Sequence, residues 1–116
     1  MPVVFIVSRE WDLRGAVRAE LREAGIAAMG FEAVDDMART IGGGIAPDLV
    51  VLDGRYLHHP LERQALQNLA SRVPVFVIDS RLNPSALLPG AQLLTKPVQV
   101  KEIVARVLGR LGAARS

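Results

Sequence analysis

Three short runs in this chain, Val3-Val4-Phe5-Ile6-Val7, Leu49-Val50-Val51-Leu52 and Val75-Phe76-Val77-Ile78, contain no polar residue. A strand with one face in water alternates apolar and polar side chains, so runs apolar at every position belong to strands covered on both faces. Helices have to supply that cover, and the segments between the runs have the pattern to do so. From Trp11 to Ala24, Leu13, Val17 and Leu21 recur at helical spacing with Ala16 and Ala24 beside them, while Arg14, Arg18 and Arg22 form the opposite stripe. Gly25 stops this first helix.

The same alternation continues to the end of the sequence. Ile26 to Phe31 is a weaker strand interrupted by Gly30, and Val34, Met37, Ala38 and Ile41 give a second helical face that ends at Gly42-Gly43-Gly44. The run at Leu49 ends in Asp53-Gly54, and a loop with Tyr56, His58, His59 and Pro60 leads to a third helix with Leu61, Ala65, Leu66 and Leu69 inward. The run at Val75 ends in Asp79-Ser80. Leu82 to Gly90 holds two prolines and predicts no helix of useful length. Leu93-Leu94 is a brief fifth strand followed by Thr95-Lys96-Pro97, and the last helix runs from about Gln99 to Leu111 with Val100, Ile103, Val104, Val107 and Leu111 inward. Strand-helix alternation with two-sided strands predicts an α/β domain built on a parallel sheet.

Composition removes several chemistries. The chain has no cysteine, which excludes disulfides, thiolate nucleophiles and cysteine zinc sites. His58 and His59 are adjacent, and neighbouring side chains diverge on any regular element, so they do not have metal-ligand spacing. The pI of 9.7 comes with a net charge of only +2, because most of the basic residues are arginines. Aromatics are 4% of the chain and the arginines are spread along it, so a nucleic-acid-binding role is not expected. Every apolar run is far below the roughly 18 residues of a membrane span, and no signal-peptide pattern is present. One soluble, cytoplasmic domain covering residues 1–116 is expected.

In an open doubly wound sheet a site forms at the carboxyl ends of the strands, where strand order reverses. The polar residues assigned there are Ser8-Arg9-Glu10, Asp53, Asp79-Ser80 and Thr95-Lys96. Their order and spacing resemble the receiver domain of two-component response regulators. Pro47 to Asp53 is similar to that family's third strand, ending at its phosphoacceptor aspartate. Thr95-Lys96-Pro97 is similar to its lysine-proline turn after strand five, with Gly90-Ala91 just upstream, and the first helix through Leu21 to Gly25 matches in spacing. The resemblance spans nearly the whole chain. It implies a flavodoxin-like five-stranded parallel sheet in the order 2-1-3-4-5, with Asp53 as the candidate phosphoacceptor and Lys96 holding a phosphoryl oxygen as a point charge.

The chain departs from the family at several of its working positions. Where the family keeps paired acids for magnesium, strand one ends in Ser8-Arg9, leaving only Glu10 and Asp53 as weak metal candidates. Asp79 falls on the family's hydroxyl position, with Ser80 one residue later. Leu93 takes the aromatic position of strand five, Leu57 replaces a proline, and the family's fourth helix is shortened or lost between Asp79 and Gly90. Arg9 is therefore expected to pair with Asp53 where the metal would stand, with Lys96 opposite and Asp79 nearby, and no cofactor is expected.

Other features have plainer readings. Arg14, Arg18 and Arg22 read as a solvated helix face, and the glycine triplet lacks the Lys-Ser/Thr of a phosphate loop. Tyr56, His58 and His59 read equally well as a polar surface loop or as residues that touch a partner, and Trp11 as packed at the start of the first helix. Asp79 serves equally well as a cap on the short segment that follows it. The resemblance implies a non-enzymatic, atypical receiver that regulates by contact, without phosphorylation; the alternative is a phosphoacceptor charged on Asp53 within a phosphorelay. The expected partner is a protein (a histidine kinase, a phosphotransfer protein, an output protein or a second copy of the chain) met through faces bearing Arg14, Arg18, Lys101 and Arg110, with no nucleic acid and no membrane. Within these 116 residues no output domain is expected.

Overall fold

Alternation along the central strands sorts the apolar side chains onto the two faces of one parallel sheet. A computed structural model describes residues 1–80 and 88–115, with residues 113–115 as backbone only. The elements run β1 (Val3–Val7), α1 (Trp11–Glu23), β2 (Ala27–Phe31), α2 (Val34–Gly42), β3 (Leu49–Asp53), a 3-10 turn (Gly54–His58), α3 (Pro60–Ala70), β4 (Val75–Asp79), β5 (Gln92–Thr95) and α4 (Val100–Arg115). All neighbouring strands pair in parallel, in the order β2-β1-β3-β4-β5. The order reverses beside β1, which opens a crevice between the carboxyl ends of β1 and β3.

Val4 and Ile6 of β1, Leu49 and Val51 of β3, and Phe76 and Ile78 of β4 face one way and meet Val17 and Leu21 of α1 and Ile103, Val104 and Val107 of α4. Their chain neighbours Phe5, Val7, Val50, Leu52, Val75 and Val77 face the other way, against Val34 and Met37 of α2 and Leu66 and Leu69 of α3. Phe5 and Phe31 meet edge to face with ring centroids 5.0 Å apart. Among the described residues no helix is long and apolar enough to cross a membrane.

Several expectations need correction. Leu61 is 78% exposed and Ala65 is exposed, because α3 seats Leu66 and Leu69 on the sheet. Leu61 then lies about 140° around the helix from Leu66. Trp11 is 71% exposed rather than packed, since it begins α1 ahead of that helix's buried stripe at Val17 and Leu21. The last helix continues past Leu111, through Gly112, to Arg115. The expected loss of a helix between β4 and β5 falls on residues 81–87, outside the described residues.

The arginine stripe of α1 is also more than a solvated face. Arg14 Nη1 donates to the Ser8 carbonyl and Arg22 Nε donates to the Ala28 carbonyl at 3.2 Å. Gly30 leaves the space that Arg14 occupies, since a Cβ there would come within 3.0 Å of the Arg14 stem. Two arginines thus lean over the edge strand β2, charging a border that would otherwise invite further strands.

Candidate functional site

The chain leaves β1 through Ser8, whose amide donates to the Phe31 carbonyl at 3.0 Å and whose hydroxyl accepts the Glu10 amide at 3.0 Å. This short hydroxyl turn aims the backbone into α1, where the Arg14 amide closes onto the Glu10 carbonyl at 2.9 Å. Glu10 holds the N-cap position, yet its side chain makes no capping bond. Its Oε1 lies 2.6 Å from Arg55 Nη2 and 3.1 Å from Lys96 Nζ.

β3 delivers Asp53 to the same crevice with only 6% of its surface exposed. Asp53 Oδ1 accepts the main-chain N–H of Arg55 at 3.0 Å, and its Oδ2 lies 3.4 Å from Arg55 Nε. A carboxylate this deep requires partners, and the 3-10 turn beginning at Gly54 supplies both from one residue. The result is a continuous chain of charge from Asp53 through Arg55 and Glu10 to Lys96.

The cation on Asp53 is therefore Arg55, not Arg9. Arg55 is two positions along a tight turn from the carboxylate, so little freedom is lost in reaching it. Arg9 instead lies over the Tyr56 ring, 6.0 Å from the centroid. The sequence signal was present in Asp53-Gly54-Arg55, an aspartate able to bond the backbone two residues on.

Gly54 has a specific reason to be glycine. A Cβ placed there would lie 2.9 Å from both Cβ and Cγ of Asp79, so the end of β4 packs directly on the start of the turn. Asp79 is half-buried against Gly54, while Ser80 is exposed and lines an open crevice of about 520 Å³ with Glu10, Leu13, Lys96, Pro97 and Val98. The Lys96 amide donates to the Asp79 carbonyl at 3.0 Å, and the Lys96–Pro97 peptide is cis. Leu93, at the family's aromatic position, is 37% exposed, and Leu57 is buried beneath α3.

Tyr56 is not part of a polar surface loop. Its ring is buried and its hydroxyl donates to the Glu32 carbonyl at the end of β2. Burial raises its pKa above the ordinary 10.0, with Asp53 and Glu62 adding to the rise and Arg9 opposing it. His58 and His59 are exposed beside it. Together with Arg9, Asp53, Arg55 and Glu62, these residues line an open cleft of about 310 Å³. Among the described residues, no three histidine or carboxylate side chains are grouped so as to hold a metal ion.

Comparison with known proteins identifies the architecture. No protein-family model and no curated protein sequence matches the chain. Solved structures do. A response regulator receiver protein from Burkholderia phymatum is similar at 26% identity over 97% of this chain and 96% of that one, with a TM-score of 0.76. A receiver protein from Sinorhizobium medicae WSM419 is similar at 19% identity, covering 97% and 95% of the two chains with a TM-score of 0.77. A two-component response regulator from Clostridium difficile is similar over 100% of both chains at 17% identity, with a TM-score of 0.78.

Proposed function

We propose that this chain, whose fold is that of response regulator receiver domains, acts in two-component signalling by contact with a protein partner, without being phosphorylated. The observation that carries this is the pairing of Asp53 and Glu10 with one guanidinium, that of Arg55. Phosphoryl transfer to an aspartate needs a carboxylate free to approach phosphorus in line, with a cation that neutralises the transferred oxygens. Here Arg55 already occupies one Asp53 oxygen through its side chain and the other through its amide. The domain would then present one constant arrangement of its crevice, non-enzymatic and available for recognition by a kinase, a phosphotransfer protein or an output protein.

Magnesium binds where several oxygens carry charge that is not already neutralised. Asp53 and Glu10, the carboxylates nearest the expected position, are both engaged by Arg55, and Arg9 adds a further cation at the end of β1. The donor set does not fit the ion, and no step is derived through it.

The alternative reading is a phosphoacceptor, favoured by the opening of Asp53 into the 310 Å³ cleft. In that reaction an Asp53 oxygen attacks the phosphorus of the donor, an acyl phosphate forms, and the donor leaves with the electron pair of the broken P–O or P–N bond. Incubation with acetyl phosphate and magnesium followed by intact-mass measurement separates the two, with Asp53→Ala as control. We expect no mass gain. A gain of one phosphoryl group in the wild type alone would overturn regulation without phosphorylation.

A further inference from the structure

We propose that the cleft beside Tyr56 is a non-covalent binding site for a small phosphate-bearing ligand, with Arg9 as its anchoring cation. Asp53 is satisfied by Arg55, and Glu10 by Arg55 and Lys96, so none of these carboxylates draws on Arg9. Among the described residues Arg9 belongs to no ion pair; its guanidinium rests over the Tyr56 ring. That ring is itself fixed, buried and tied through its hydroxyl to the Glu32 carbonyl. A cation held on a fixed platform loses little freedom when it engages a ligand.

The space in front of Arg9 suits this role. The cleft of about 310 Å³ is lined by Arg9, Arg55, His58 and His59 against Asp53 and Glu62. It falls at the small end of the range of about 300–1,000 Å³ that holds small molecules. A guanidinium carries five N–H donors, so one that contacts the Tyr56 side chain still has donors to offer two oxygens of a phosphate. The exposed imidazoles add donors to the lining, and Glu62 is the one lining carboxylate without an ion pair to a described residue. Glu62 therefore opposes the anion and limits its affinity. The site lies on the Tyr56 side of the crevice, apart from the Glu10–Lys96 side, and it rests on the reading above in which Asp53 stays paired with Arg55.

Amide-resolved NMR titration at constant ionic strength tests the proposal, using inorganic phosphate and glycerol phosphate as separate probes. Saturable shifts centred on Arg9, Tyr56, His58 and His59 are expected with both. Arg9→Ala should weaken binding about ten-fold or more, as expected for loss of a charged, forked donor, with Arg9→Lys intermediate. Glu62→Gln should tighten binding several-fold, and Lys96→Ala should leave it unchanged. Saturation with glycerol phosphate but not with inorganic phosphate would still support the site and assign it to phosphate esters. Shifts that grow linearly without saturating, equal affinity in Arg9→Ala, or loss of binding in Lys96→Ala would each overturn it. Arg9 is exposed, so its replacement leaves the core intact and the wild-type spectrum serves as the folding control.

Discussion

Arg55 grips Asp53 twice, with its main-chain N–H 3.0 Å from Oδ1 and its side-chain Nε 3.4 Å from Oδ2. The first contact belongs to the backbone and survives any substitution except proline. The second depends on the side chain, which also reaches Glu10 at 2.6 Å. One residue thus keeps a buried carboxylate compensated and ties the end of β3 to the start of α1.

Arg55→Ala should destabilise the domain by about 1 kcal/mol, the size expected where one partner is well exposed and the other buried. This corresponds to a fall in Tm of about 4 °C by calorimetry. Arg9→Ala should cost about 0.5 kcal/mol, the low end for an exposed cation–π contact. A larger loss for Arg9 than for Arg55 would contradict the pairing described above. In a double-mutant cycle Arg55 and Glu10 should couple by a few tenths of a kcal/mol, and the coupling should shrink with added salt.

Gly54→Ala should destabilise by about 1–3 kcal/mol, because the new methyl overlaps the Asp79 side chain. Asp79→Ala removes the obstacle. The double variant should therefore recover part of the loss, a non-additivity readable from urea midpoints. Strict additivity would show that the cost at Gly54 comes from somewhere else.

Tyr56→Phe should cost about 1 kcal/mol through the hydrogen bond lost to the Glu32 carbonyl. It should also change the alkaline limb of stability. The Tyr56 pKa is raised in the folded state, so the folded protein holds its phenolic proton in a range where the unfolded chain has released it. That contribution is complete below pH 10.0 and is lost as pH rises from there through the folded value. Denaturation followed across this range should give a shallower alkaline decline in Tyr56→Phe than in the wild type.

Magnesium at millimolar concentration should leave the amide resonances of Glu10 and Asp53 in place, since both carboxylates are engaged by Arg55. Saturable shifts at those residues would show that the ion displaces the guanidinium. In Arg55→Ala such shifts should become visible, which separates occupation by arginine from any other reason for weak binding.

The sheet was legible in the sequence because strand burial is written locally. A run such as Val3 to Val7 cannot be stable with a face in water, and alternation with helices leaves a parallel sheet as its solution. The buried stripes of α1 and α4 followed from helical spacing alone, with Val17, Leu21, Ile103, Val104 and Val107 all inward. The third helix was harder to read, because Leu61 with Ala65 and Leu66 with Leu69 make two candidate stripes. Packing against Val75 and Val77 chose the second.

The sequence by itself determined the layers, the strand endings and the charged residues at those endings, though not Arg55, since these depend on periodicity and on where apolar runs stop. Only the tertiary structure decided how those charges pair. Glu10 and Lys96 are 86 positions apart and meet at 3.1 Å, while Arg9, placed by sequence beside Asp53, lies on Tyr56. Long flexible side chains can reach several partners from one backbone position, so burial of the carboxylate and the local turn that brings Arg55 to it select the partner.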